Sequence, residues 1–216
     1  MSHDSHLQKA VLAELAWEPS VKHAHIGATA NAGVVTLTGH VESYAQKHAA
    51  ETAAGRVKGV KAVAEEIEVR LPFDRTRDDG DIAAAILERL DWDVSIPRHS
   101  IKVRVENGWV TLTGEVGWHY QSDAGEQDVR GLHGVIGISN QTTIRPAVST
   151  ATITDDIKHA LHRSWFFDAD GIRVTSDHGK VHLTGTVNSP HDRALAAKTA
   201  WSAPGATSVE NDITVV

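Results

Sequence analysis

Apolar positions along this chain follow two alternating periods, and the same succession can be read three times. Each reading opens with steps of four: Leu7, Val11, Leu15; Ile82, Ile86, Leu90; Ile157, Leu161, Trp165. Such steps keep side chains on one face of a helix. Asp4, Asp79 or Asp81, and Thr154 or Asp155 suit N-cap or first-turn positions near the positive end of the helix dipole. Two residues past the third apolar position stands an aromatic each time, Trp17, Trp92 and Phe167. Its recurrence predicts a core plug beneath the helix exit.

The period then changes to two, at Ile26/Ala28/Ala30, Ile101/Val103/Val105 and Ile172/Val174/Ser176, which predicts a strand. Turns follow at Asn31-Ala32-Gly33, Glu106-Asn107-Gly108 and Asp177-His178-Gly179. Asn107-Gly108 is a strong tight-hairpin signal because both residues tolerate positive φ. A second strand points Val35/Leu37, Val110/Leu112 and Val181/Leu183 inward, and Gly39, Gly114 and Gly185 are expected to end it. A second helix is announced by Ser189-Pro190-x-Asp192 and by the capping box Ser43-x-x-Gln46. Its inner face is small: Ala49, Ala50, Ala53 and Val57 in the first copy, Leu195, Ala196 and Ala203 in the third. Gly59, Gly134 and Gly205 precede a closing strand, carried by Val63/Ile67/Val69, Ile138/Ile144 and Val209/Ile213/Val215.

The predicted order is helix–strand–strand–helix–strand, with a parallel pair joined across the second helix. Gly39, Gly114 and Gly185 are spaced by 75 and 71 residues, so one unit is copied three times. The expected fold is α+β: three tandem α-β-β-α-β domains at 1–70, 79–145 and 153–216, each a three-stranded mixed sheet covered by two helices. Units of this size have marginal cores, so neighbours are expected to pack on one another. Three small copies point to binding surfaces used together more than to one catalytic cleft.

Composition narrows the function. The net charge is −7 with no run of Lys or Arg, which argues against a nucleic-acid partner and weakens purely electrostatic attachment to anionic membranes. The chain has no cysteine, hence no disulfide framework, thiolate catalysis or Cys-ligated zinc. The N-terminal residues lack a basic segment followed by an apolar core, and no apolar stretch is long enough to span a bilayer. The expected location is the cytoplasm.

Fourteen histidines invite a metal reading, and His159-x-x-His162 with Asp155 or Asp156 is the best placed set. It has no counterpart in the other copies, and the histidines scatter, so neither a metal site nor a cofactor is expected. Glu65-Glu66 is read as the solvent side of an edge strand, and no G-x-S-x-G elbow or phosphate loop is present. No catalytic residue is assigned, and the chain is not expected to be an enzyme.

One local departure is Ser164-Trp165-Phe166-Phe167-Asp168. Phe166 aligns with Ala16 and Asp91, where solvent is expected, and the same helix carries Lys158, His159, His162 and Arg163. An aromatic beside a basic, His-rich face suits a lipid headgroup layer or a protein partner. Lys158, His162, Arg163 and Phe166 are therefore the candidate contact residues. Trp118 and Trp201 break their columns as well, as inter-repeat packing or as a binding patch.

The element order, the G-x-V-x-L-x-G-x-V strand and the glycine 20 residues on resemble the BON domain (bacterial OsmY and nodulation) over nearly the whole chain. The resemblance implies a non-enzymatic protein. It also implies phospholipid binding, chaperone-like or osmotic-stress roles in the periplasm and, in one lineage, potassium sensing. Without a secretory signal, a cytoplasmic stress-associated relative is expected, engaging phospholipid surfaces or client proteins through several repeats. An ion or small-ligand sensor and a structural scaffold are the alternatives.

Overall fold

A computed structural model describes residues 3–145, 152–163 and 171–216. Each repeat begins with a helix: α1 (His3–Trp17), α3 (Asp79–Trp92) and α5 (Ile153–His162). A hairpin follows, β1 (Ile26–Asn31) with β2 (Val34–Val41), β4 (Ile101–Glu106) with β5 (Trp109–Val116), and β7 (Ile172–Asp177) with β8 (Lys180–Val187). The second helices are α2 (Tyr44–Gly55), α4 (His119–Arg130) and α6 (Pro190–Trp201), and the closing strands are β3 (Ala62–Val69), β6 (Gly137–Ile144) and β9 (Ser208–Val215).

The three sheets are separate, each with its middle strand antiparallel to the first and parallel to the last. Both helices lie on one face of their sheet, and the other face is left to solvent at Thr29, Arg104 and Thr175. This is the α+β repeat expected. Asn107 and Gly108 have φ of 50° and 77°, as a two-residue turn with both centres left-handed requires.

Each repeat has its own apolar cluster, made by the first helix, the inward positions of the hairpin and the small face of the second helix. The glycines of the middle strand do not end it, because β2, β5 and β8 run on to Val41, Val116 and Val187. Gly114 has a φ of +134°, and a Cβ there would stand 2.0 Å from the Ser100 carbonyl oxygen. The residue entering the first strand crosses so closely that only glycine fits.

Three further expectations are corrected. Trp17 and Trp92 are not plugs: they are 84% and 80% exposed. A step of two residues turns about 200° around a helix, so each indole points away from buried Leu15 or Leu90. Val21 and Ile96, both 6% exposed, fill the place beneath the helix exit. In α5 Ile157 and Leu161 are buried as expected, but Ile153, one turn earlier, is buried with them, so the triad that matches the other repeats starts at Ile153 and not at Ile157. The third copy is shorter by four residues, close to one helical turn, so periodicity fits either register equally well. Trp165, Phe166, Phe167 and the linker at Pro146 lie outside the described residues.

Glu65 is also not a solvent-side residue. Its carboxylate pairs with Lys47 at 2.8 Å, both half-buried, and accepts from its own strand's Ile67 amide at 2.6 Å. Asn140 and Asn211 occupy the same position and accept from the amides of Thr142 and Ile213 at 3.2 and 3.3 Å. They tie to α4 through Ser122 and to α6 through Arg193. A polar clamp thus fastens each second helix to its closing strand, with different side chains each time.

Candidate binding surfaces

Aligning the repeats on their buried triads, Leu7/Val11/Leu15, Ile82/Ile86/Leu90 and Ile153/Ile157/Leu161, brings two outward positions of the first helix into register. In α1 they hold Leu12 and Trp17, 37% and 84% exposed, and in α3 Leu87 and Trp92, 54% and 80% exposed. In α5 the same positions hold Lys158 and Arg163, both exposed. Two repeats present an apolar pair to solvent and the third presents two cations. Scattered apolar residues on a surface need no cause, but the same pair in two copies is a repeated surface feature.

Of the sequence-based candidates, Lys158 and His162 stand four residues apart on α5, and Arg163 caps its C-terminus, where a cation suits the negative end of the dipole. Phe166 lies outside the described residues. Trp17 and Trp92 recur in the sequence at a fixed distance from the triad. Counting 100° per residue places them outward. Glu18 flanks Trp17, and its hydrogen bond with Arg56, at 2.8 Å, holds its carboxyl below the usual range.

The second surface lies between repeats. Tyr44, at the start of α2, packs against the apolar cluster of the middle repeat. Burial there pushes its phenol pKa up, reinforced by Glu126 of α4. Burial pushes the His48 imidazole pKa down, and Arg130 of α4 adds to the shift. Arg130 and Glu126 form an ion pair at 2.9 Å. The next junction uses the same columns. His119 stands where Tyr44 does and stacks on Trp201 of α6, ring centroids 4.1 Å apart. Trp201 in turn occupies the column of Arg130. Each junction sets the first half of one second helix against the last half of the next.

The α4–α6 junction is not filled. A cleft of about 410 Å3 opens between Trp118, His119, Tyr120 and Asp123 on α4 and Lys198 and Trp201 on α6. A polar groove of about 420 Å3 runs beside it, along Ser122, Asn140 and Thr142 to Thr207. Among the described residues, no three His, Asp or Glu side chains come together as a metal site, and His159 and His162 gather no such set. No helix among them is long and apolar enough to cross a membrane.

One family comparison agrees with this architecture. The BON domain matches three times, over residues 3–70, 78–146 and 149–216. Osmotically-inducible protein Y of Escherichia coli is 33% identical over 141 residues, covering 63% of this chain and 70% of its own. Among solved structures, CdsD, a structural protein of the type III secretion system of Chlamydia trachomatis, is 16% identical. It covers 98% of this chain and 92% of its own, at a TM-score of 0.27. With three matches spanning nearly its whole length, the chain belongs to the BON-domain family as three tandem copies.

Proposed function

We propose that this is a non-catalytic, stress-associated binding protein that lays the first helices of its repeats on a phospholipid surface. The observation that carries the reading is the aligned pair of outward positions: Leu12/Trp17, Leu87/Trp92 and Lys158/Arg163. Indole rings favour the boundary between water and hydrocarbon, and exposed Lys and Arg favour anionic headgroups. The first two repeats supply apolar contact, while the third supplies charge that the net −7 of the chain does not. Each contact is weak alone, and short linkers convert later contacts into intramolecular ones. His162 belongs to the same basic face. The stress association is supported by the osmotically inducible relative, and the absence of catalysis by the family.

Flotation with vesicles of phosphatidylglycerol or of phosphatidylcholine tests the reading. The full chain is expected to float with the anionic vesicles, and a Trp17→Ser/Trp92→Ser variant to lose at least three-quarters of that binding. Equal flotation of the variant, or none by the wild type, sinks the membrane reading and leaves a client protein as the occupant of this face.

A further inference from the structure

The cap column of the second helices sets the middle repeat apart. In α2 and α6 it holds Ser43 and Ser189, whose hydroxyls accept from the amides of Gln46 and Asp192 at 3.3 and 3.1 Å. In α4 it holds Trp118, whose indole has no acceptor to offer. The equivalent amide, that of Gln121, donates to the Trp118 carbonyl at 3.1 Å, while Gln121 Oε1 accepts from the amides of Gly117 and Trp118 at 2.9 and 3.1 Å. A residue type favoured for capping is thus replaced by a ring left 40% exposed. Tyr120, 55% exposed, stands where the other copies have Ala45 and His191. Its ring lies 6.4 Å from that of Trp118. Trp201, in the column of Gly55 and Arg130, supplies a third ring from α6.

These three rings, each in a column whose other members hold no Trp, Tyr or Phe, line one cleft of about 410 Å3. The volume lies within the usual range of small-ligand sites. Ordinary packing does not call for a cleft here, since at the other junction Tyr44 is packed against a core. The faces of Trp and Tyr rings are negative and attract cations. A trimethylammonium group is the cation best suited to such walls, because it has no N–H that needs an acceptor. Asp123 contributes a carboxylate on the same lining, also 3.1 Å from His119 Nδ1, and Lys198 contributes an ammonium. One charge of each sign fits a zwitterion.

We propose that the α4–α6 cleft binds a trimethylammonium group whose molecule carries an anion a few bonds away. The cation rests among Trp118, Tyr120 and Trp201 near Asp123, and the anion meets Lys198. A free solute such as glycine betaine and a phosphocholine headgroup share this chemistry. The site is distinct from the first-helix surface and stands or falls separately from it.

Calorimetric titration of the full chain tests the proposal with glycine betaine, phosphocholine, tetramethylammonium and 3,3-dimethylbutanoate. The last has the shape of betaine without its positive charge. Saturable binding of a trimethylammonium ligand, at least tenfold tighter than dimethylbutanoate, is the expected result. Trp118→Ser restores the cap residue of the other two copies, so it is expected to weaken binding at least tenfold while the thermal midpoint holds or rises. Tyr120→Ala should weaken it as well. Lys198→Met should weaken betaine or phosphocholine but leave tetramethylammonium unchanged. Flotation with phosphatidylcholine vesicles, competed by phosphocholine and lost in Trp118→Ser, assigns the headgroup as source; betaine binding without such flotation assigns the free solute. No saturable binding of any trimethylammonium ligand overturns the proposal, as does dimethylbutanoate binding as tightly as betaine. A Trp118→Ser protein that binds like wild type overturns it too.

Discussion

The two junctions between repeats are built from the same columns of the second helices and finished differently. At α2–α4 the ring of Tyr44 goes down into the neighbouring core, and His48, Glu126 and Arg130 close around it. At α4–α6 the rings stand up: His119 and Trp201 stack, and Trp118 and Tyr120 border an open cleft. One junction spends its aromatic side chain on cohesion, the other leaves aromatic surface in reach of solvent. The contact is head-to-tail, so it does not close on itself by symmetry. At the outer ends of the array its columns hold Pro190 and Ala194 on α6 and Gly55 on α2, with no ring to extend the series. Terminal repeats that differ from the interior are what an array of limited length requires.

Substitution costs most at the first junction. Tyr44→Ala removes a half-buried ring from the core of the next repeat and is expected to cost about 2 kcal/mol, below the range for a fully buried aromatic. Urea unfolding should then separate repeat one from the rest as its own transition; a single unshifted transition would contradict the packing described. Trp201→Ala deletes a stacked pair between partly exposed rings and is expected to cost about 1 kcal/mol. Its signature is earlier melting of repeat three in hydrogen exchange, with α2 and β3 unaffected. Trp118→Ser runs the other way. The amide that a serine would cap, that of Gln121, already donates to the Trp118 carbonyl at 3.1 Å, so the gain is about 0.5 kcal/mol, at the low end for a cap residue, read as a raised thermal midpoint.

The smallest effect is a pH dependence at the first junction. The folded-state pKa of His48 lies below its unfolded value of about 6.5. Between the two values the unfolded chain binds more protons, so stability rises with pH through that window and falls as pH drops from about 6.5 toward the folded value. His48→Gln should therefore reduce the loss of urea midpoint between pH 7.5 and 5.5. An identical loss in wild type and variant would show that the imidazole is not held neutral by the junction.

How much of this was legible beforehand depended on whether a feature recurred within the chain or arose between parts of it. The repeat, the turn at Asn107-Gly108 and the Ser189-Pro190 cap follow from local chemistry and appear where expected. The register of α5 did not, because a deletion of one turn leaves an apolar stripe apolar. The glycine spacing held the answer: stepping back 71 residues from Ile157 lands on Ile86, the middle of the buried triad. The recurrence of Trp17 and Trp92 is plain in the sequence, but recurrence alone does not fix a face; the step of about 200° from Leu15 and Leu90 does. The cleft was beyond reach, since Trp118 and Trp201 lie far apart in sequence and meet only through packing of α4 on α6. Their departure from the repeat columns was the one trace visible in advance.

The outward face of the first helices is the proposed membrane contact. A chain without cysteine allows a direct test with an environment-sensitive fluorophore on single introduced cysteines. Ala16→Cys and Asp91→Cys place it beside Trp17 and Trp92, while Thr29→Cys and Arg104→Cys place it on the open sheet faces of the same repeats. On adding phosphatidylglycerol vesicles, a blue shift and brightening are expected at positions 16 and 91, with little change at 29 and 104. Equal response at all four positions, or a response confined to the sheet face, would contradict the proposed contact.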